Sequence, residues 1–303
     1  MSWLVYAFAG PVLWAISTHF DKYLVERYFK HSNVAVLLLF TALTGFATMP
    51  VIGFFNPEAL TLPLATCGLM TLAGVLTMAA LYFYLWALQG EEASVVVPFS
   101  QASPLFGYIL AFLILGEVLT PKQMLGGALI VIGALAISID LRKGFRFKAK
   151  IAALMLGCAF ASALSWLIFK AFAIRDDFWP TAFWMFFGQA AFGAGLFAIP
   201  SLRHEFVGMF RANPLPVLSI NVANEAINLG GMLGSRYALV LAPLSLVQAV
   251  TGTTSIFVYA FGVIITLVCP HLGREDVSPR NLIQKGFAAI VVAIGVALVN
   301  SVK

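Results

Sequence analysis

The chain has 303 residues, of which 61% are hydrophobic and only 10% are charged. A soluble domain carries roughly 25% charged residues, so this composition leaves too few charges to solvate a surface and excludes an ordinary soluble globular protein. The net charge of +5 is scattered over short loops instead of forming one basic face, which excludes a nucleic-acid partner and assigns the basic residues to lipid headgroups and membrane orientation.

The unit of organisation is therefore the apolar span of about 20 residues. Ten are read, at about 3–22, 34–55, 64–88, 94–115, 122–139, 151–172, 179–199, 214–236, 241–268 and 283–301. Uncharged runs as long as Val34–Pro57 or Tyr237–Pro270 must satisfy their own backbone groups in lipid, which makes them helices. No period-2 alternation supports a β-barrel. The first run has no basic n-region and no cleavage site before Asp21-Lys22, so it is expected to stay as span one. His19, Asp21 and Lys22 cluster at its end; His19 and Lys22 share a face and are candidate gate residues beside an ordinary interfacial reading.

Span one carries Trp14 and span three ends in Tyr82, Tyr84 and Trp86. Trp14 and Tyr82 are candidate cavity aromatics, against the reading that they face lipid or an interface belt. Span four offers Ser100, Gln101 and Ser103. Before span five, Thr120-Pro121-Lys122-Gln123 forms a capping box with proline at the first helical position. Glu117, just upstream, is a gate candidate; the structural reading has it supporting that helix N-terminus. A basic linker, 141–150, with Arg142, Lys143, Arg146, Lys148 and Lys150, divides the chain.

The second half repeats the first. Ser100-Gln101-Ala102 is echoed by Val247-Gln248-Ala249, and Glu117–Gln123 by Glu275–Asn281. Each of the latter precedes a glycine-spaced helix. Repeats of 1–140 and 151–303 with five spans each are inverted relative to one another, the common plan of secondary transporters with a midplane site. The expected fold is thus an all-α membrane protein of ten helices in two inverted five-helix repeats.

Span eight is the most polar. Asn221, Asn224, Glu225 and Asn228 fall at i, i+3, i+4 and i+7, on one helical face. An acidic group at the bilayer centre costs roughly 2.5–3.5 kcal/mol on insertion scales, so Glu225 should face a cavity or a partner. The aligned stretch of span three has Gly74, Thr77, Met78 and Leu81, so the polarity belongs to one repeat. A helix–helix hydrogen-bond network is the plainer reading; a wall that binds solute or a coupling proton is the functional one. Span nine adds Gln248 and Thr251, and Gly230-x-x-x-Gly234 is read as close packing.

Gly116-Glu117-x-Leu119-Thr120-x-x-Gln123-x-x-Gly126, with Pro98 and Pro104 before it and Ile130 and Gly133 after, resembles the repeat motif of the EamA-type drug/metabolite transporter superfamily. The second repeat departs from it, with Arg274 in place of the glycine. The resemblance implies a duplicated ten-span transporter whose spans one, three, four, six, eight and nine surround a central cavity, which brings Gln101 and Gln248 to it. It also implies cytoplasmic termini, although counting Lys and Arg by loop runs against positive-inside in that orientation.

The sequence therefore predicts a multi-pass protein of the bacterial cytoplasmic (inner) membrane, not an enzyme, monomeric or homodimeric. It is expected to carry a small metabolite such as an amino acid or organic cation by alternating access, as exporter or proton-coupled exchanger. A nucleotide-sugar or lipid-linked sugar carrier is disfavoured because Lys170 and Arg236, the chief intramembrane cations, read as span ends. A non-transporting scaffold or receptor would not need a polar interior. No HExxH, GxxxxGK or GxSxG motif is present, and Cys67, Cys158 and Cys269 lack metal or disulfide spacing; no cofactor or metal is expected.

Overall fold

The computed structural model describes residues 3–27, 33–90, 102–138, 149–212, 214–268 and 278–300; among them every regular element is helical. Helix α1 covers Trp3–Arg27, α2 Val34–Phe55 and α3 Leu64–Gly90, with a 3-10 turn at Pro57–Thr61 between the last two. Helix α4 covers Ser103–Leu110 and runs into a π turn, Ala111–Leu115; α5 covers Pro121–Ser138. The second half holds α6 (Ala149–Arg175), α7 (Phe178–Ala198), α8 (Pro200–Ala212), α9 (Pro214–Leu241), α10 (Leu244–Thr251), α11 (Thr254–Val268) and α12 (Pro279–Asn300).

Among the described residues, seven stretches are long and apolar enough to cross a membrane: those in α1, α2, α3, α6, α7, α12 and the joined α10–α11 segment. The apolar stretches Ser103–Leu115 and Pro121–Ala136 are shorter. Helix α9 has 28 residues but is not among the seven, because the asparagines, Glu225 and Arg236 dilute its hydropathy.

Two expectations are corrected. The stretch 200–212 is the helix α8, not a plain loop. Its apolar residues Leu202, Phe206, Met209 and Phe210 recur on one face and pack on the cluster formed by α1, α2 and α3, and its Glu205 accepts the backbone N–H of Asn33 at 2.8 Å. Span nine is not one helix: Gly252 and Thr253 interrupt it, and Pro243 separates it from α9.

Sequence explains the ends. Thr120 and Gln123 form the expected capping box, with Thr120 N donating to Gln123 Oε1 at 3.0 Å and Gln123 N to Thr120 Oγ1 at 3.3 Å. Gly116 stops the π turn at φ +66°, a left-handed conformation that suits glycine.

Helices meet where side chains are small. A Cβ at Gly74 would run into the Met185 carbonyl and one at Gly188 into the Thr71 carbonyl, so α3 and α7 pack backbone to backbone. Gly126 and Gly295 meet in the same way between α5 and α12, each 2.7 Å from the other's carbonyl at the Cβ position. Gly234 of the GxxxG pair lies against Ala9 and Tyr6 of α1.

Candidate functional site

Helix α1 runs antiparallel to α9. Tyr6 meets Tyr237, Gly10 meets Ser235, and Asp21 meets Asn224. The last contact brings the polar face of α9 to the end of α1, where the Asn224 amide donates to Asp21 Oδ1 at 2.7 Å. On the other side stands α2, whose Thr41 and Thr44 hydroxyls donate to Glu225 Oε1 and Oε2 at 2.9 and 3.1 Å.

The polar face of α9 therefore points inward. Asn221 and Asn224 are each 2% exposed, while Glu225 and Asn228 are half-buried. Asp21 lies within electrostatic reach of Glu225, and Tyr84 of α3 within reach of Asp21. Among the described residues, no lysine or arginine pairs with either carboxylate. The result is an acidic cluster between α1, α2 and α9, supplied with hydroxyl and amide groups and no described countercharge. A Thr hydroxyl both donates and accepts. Thr41 and Thr44 can donate to Glu225 when it is ionised, or turn to accept a hydrogen bond from its carboxyl when it is protonated.

A second cluster joins the chain's halves. Lys170 on α6 lies 2.5 Å from Glu117 Oε1. Its ammonium also donates to the Ala242 carbonyl at 2.6 Å, and Glu117 Oε2 accepts from Leu244 N at 2.9 Å. Pro243 interrupts the helix here, leaving backbone groups that lipid cannot satisfy; the ion pair satisfies one on each side of it. Glu117 thus supports a helix N-terminus, that of α10 and not of α5.

The third cluster surrounds Arg236, 2% exposed in the middle of the bundle. Its Nη2 donates to Ser165 Oγ at 2.9 Å and to Thr77 Oγ1 at 3.3 Å, and its Nη1 to the Ser165 carbonyl at 3.2 Å. Trp166 and Phe169 rings lie 4.9 and 5.1 Å from the guanidinium carbon. Arg236 and Lys170 are both interior residues, which corrects their placement at span ends. An apolar run that stops at a cation looks the same in sequence whether the cation meets headgroups or a buried ring.

The remaining candidates are dispersed. Trp14 packs edge-on to Trp166 at 6.3 Å, nearer Arg236 than Glu225. Tyr82 packs on Phe83 and Trp86. His19 Nε2 lies 3.2 Å from the Val258 carbonyl on α11, so it ties α1 to α11. Gln248 is buried against Gly107 of α4, and Thr251 donates to the Gln248 carbonyl within its own helix at 2.7 Å. Gln101, Cys269 and the side chain of Lys22 lie outside the described residues. An apolar groove of about 290 Å³ between α4, α5 and α10 opens on the outer face and touches none of the three clusters. Sequence reading missed Thr41 and Thr44, although two hydroxyls at i and i+3 in a span without charges were visible.

Comparison with known proteins agrees with this architecture. Residues 1–139 match the EamA-like transporter family. A 69-residue stretch is 39% identical to the uncharacterized transporter YwfM of Bacillus subtilis (strain 168), covering 23% of each chain. Another alignment of 69 residues is 38% identical to an uncharacterized protein of Methanocaldococcus jannaschii, covering 23% of this chain and 50% of that one. The matches thus span half or less of the curated relatives' lengths. A crystal structure superposes with a TM-score of 0.68 at 17% identity, covering 97% of this chain and 94% of the other, a likeness of fold. The chain is an integral multi-pass membrane protein whose first 139 residues match the EamA-like transporter family.

Proposed function

We propose that this protein is a secondary transporter of a small metabolite, located in a bacterial inner membrane, in which the Glu225–Asp21 cluster takes a proton or the cationic group of the solute. The observation that carries the reading is the pair of carboxylates between α1, α2 and α9 whose described partners are all neutral donors. Buried charge of one sign is costly, and a site arranged to bind and release a cation is the functional reason to keep it.

Alternating access needs two halves that rock against each other, and the helix pairing supports that. Helix α1 packs on α9 and α3 on α6; α2 packs on α7, α4 on α10 and α5 on α12. Counting α9 as span eight, α10–α11 as span nine and α12 as span ten, exchange of the first five spans for the second five maps these pairs onto themselves, while the close α3–α7 contact has only a weak counterpart in α2–α9. This supports reading 1–140 and 151–303 as two repeats related by a two-fold axis. Five spans each make them inverted.

The test is solute flux in proteoliposomes over a metabolite panel, with and without a pH gradient, for the native chain and Glu225→Gln. Flux that responds to the gradient or to solute cation charge, and loses that response in Glu225→Gln, is the expected result. Unchanged flux and pH response in the variant overturns the role of Glu225.

A further inference from the structure

Arg236 is left unexplained by a cluster for protons or cations. It lies eleven residues beyond Glu225 on α9, about 16 Å along the axis and about 20° around it. The two charges therefore look toward the same side of the helix at different depths. They are too far apart to be two halves of one small subsite.

The surroundings of Arg236 are neutral. Its described acceptors are Ser165 and Thr77, both uncharged, and no described carboxylate pairs with it. Its Nε is buried and has no partner. The Ser165 hydroxyl is anchored at 2.8 Å to the Ala73 carbonyl, and the Thr77 hydroxyl lies 2.9 Å from it, so both serve as fixed supports for the fork. The Thr77 bond, at 3.3 Å, is the longest of the set. Nε is thus an unused donor beside Nη2, which reaches Ser165 at 2.9 Å and, more weakly, Thr77 at 3.3 Å; a carboxylate that takes the place of the Thr77 bond engages this edge with both oxygens. Trp166 and Phe169 flank the cation, and Trp14 stands behind Trp166, giving an apolar wall for the body of the ligand.

We infer that Arg236 is the anion subsite of the transported solute, taking a carboxylate on its Nε–Nη2 edge between the rings of Trp166 and Phe169. This rests on the transporter reading above and assigns different work to the two charges: Glu225 and Asp21 serve the proton or cation, and Arg236 the solute carboxylate. Arg236 is closed in on all sides in the state described here, so the carboxylate reaches it when the repeats rock apart.

The experiment uses the purified full chain and four probes, acetate, lactate, benzoate and phenylacetate, with benzylamine as the cationic counterpart of benzoate. Tryptophan fluorescence and thermal shift are read at millimolar probe. At least one carboxylate is expected to bind and benzylamine is not expected to compete with it. Arg236→Lys keeps the charge but loses the fork, and should weaken carboxylate binding about ten- to hundredfold. Arg236→Gln should abolish it, and Gly127→Ala, at an open position of α5 away from all three clusters, should leave it within about twofold. If Arg236→Gln does not fold, Arg236→Lys decides alone. Binding of none of the four carboxylates, or native-like binding in Arg236→Lys, overturns the inference. Carboxylate binding that depends on Arg236, together with an unaltered pH response of flux in Glu225→Gln, overturns the reading of Glu225 and leaves this one standing.

Discussion

Lys170 and Glu117 meet in the interior of the bundle, 2.5 Å apart with side chains 6% and 16% exposed, and between them they satisfy the carbonyl of Ala242 and the amide of Leu244. One residue comes from each half of the chain, and the backbone they hold is the proline break between α9 and α10. Removing one partner leaves a buried charge and an orphaned backbone group. Lys170→Met or Glu117→Gln alone should therefore cost about 3–5 kcal/mol. The double variant should recover part of that loss, because neither charge is left alone. Melting curves of the four proteins in detergent, read as a double-mutant cycle, give the coupling. Additive losses would show that the pair does not act as a unit.

Thr41 and Thr44 are the described donors to Glu225. Replacing both by valine keeps volume and helix packing but strips the carboxylate of its donors. Each hydrogen bond to a charged group is worth about 1.5–3 kcal/mol. Transport by Thr41→Val/Thr44→Val is expected to fall at least tenfold, while Thr41→Ser/Thr44→Ser, which keeps both hydroxyls, should retain most of it. Initial rates in proteoliposomes check this. Equal rates in the valine and serine pairs would remove Thr41 and Thr44 from the mechanism.

Much of the fold was legible in residues taken a few at a time. The capping box at Thr120 and Gln123 is a local device, and its bonds form within one turn. The inward face of α9 was legible because Asn221, Asn224, Glu225 and Asn228 share a period that lipid cannot accept. Arg236 and Lys170 were not, because their partners are Thr77, Ser165 and Glu117, dozens of residues away, and no local pattern announces those contacts. Glu117 was expected to serve its own neighbouring helix. The chain instead brings α10 to it, through a break at Pro243 that the apolar run around it concealed. Asp21 was visible as part of an end-of-span cluster. Only the antiparallel register of α1 and α9 makes it the partner of Asn224.

The α3–α7 contact depends on two residues without side chains. A Cβ at Gly188 would overlap the Thr71 carbonyl, and one at Gly74 the Met185 carbonyl. Both obstacles are backbone and cannot swing aside. Gly188→Ala and Gly74→Ala should each destabilise the protein by about 1–3 kcal/mol through overpacking. Gly127, in α5, has nothing within 4 Å of the same position, and Gly127→Ala should be neutral or gain up to about 1 kcal/mol from helix propensity. Melting temperatures in one detergent separate the two classes. A Gly188→Ala variant as stable as the Gly127→Ala variant would contradict the close α3–α7 approach.

Gln248 presents the reverse case, a polar group whose removal should not harm the fold. It is 2% exposed, and neither its amide oxygen nor its nitrogen has a partner in the structure. A buried amide left unpaired costs about 1–3 kcal/mol relative to a well-placed apolar group. Gln248→Met, close in length and flexible, should therefore hold or raise the melting temperature. The transporter reading gives the amide work in another state of the cycle, so the same variant should lose transport. The amide also lies against Gly107, where even a Cβ would collide with it, and Gly107→Ala should displace it and reduce transport in turn. Both variants are to be measured for melting temperature and flux on the same preparation. A Gln248→Met protein that is less stable yet transports normally would make Gln248 a packing residue of the α4–α10 contact and remove it from the solute path.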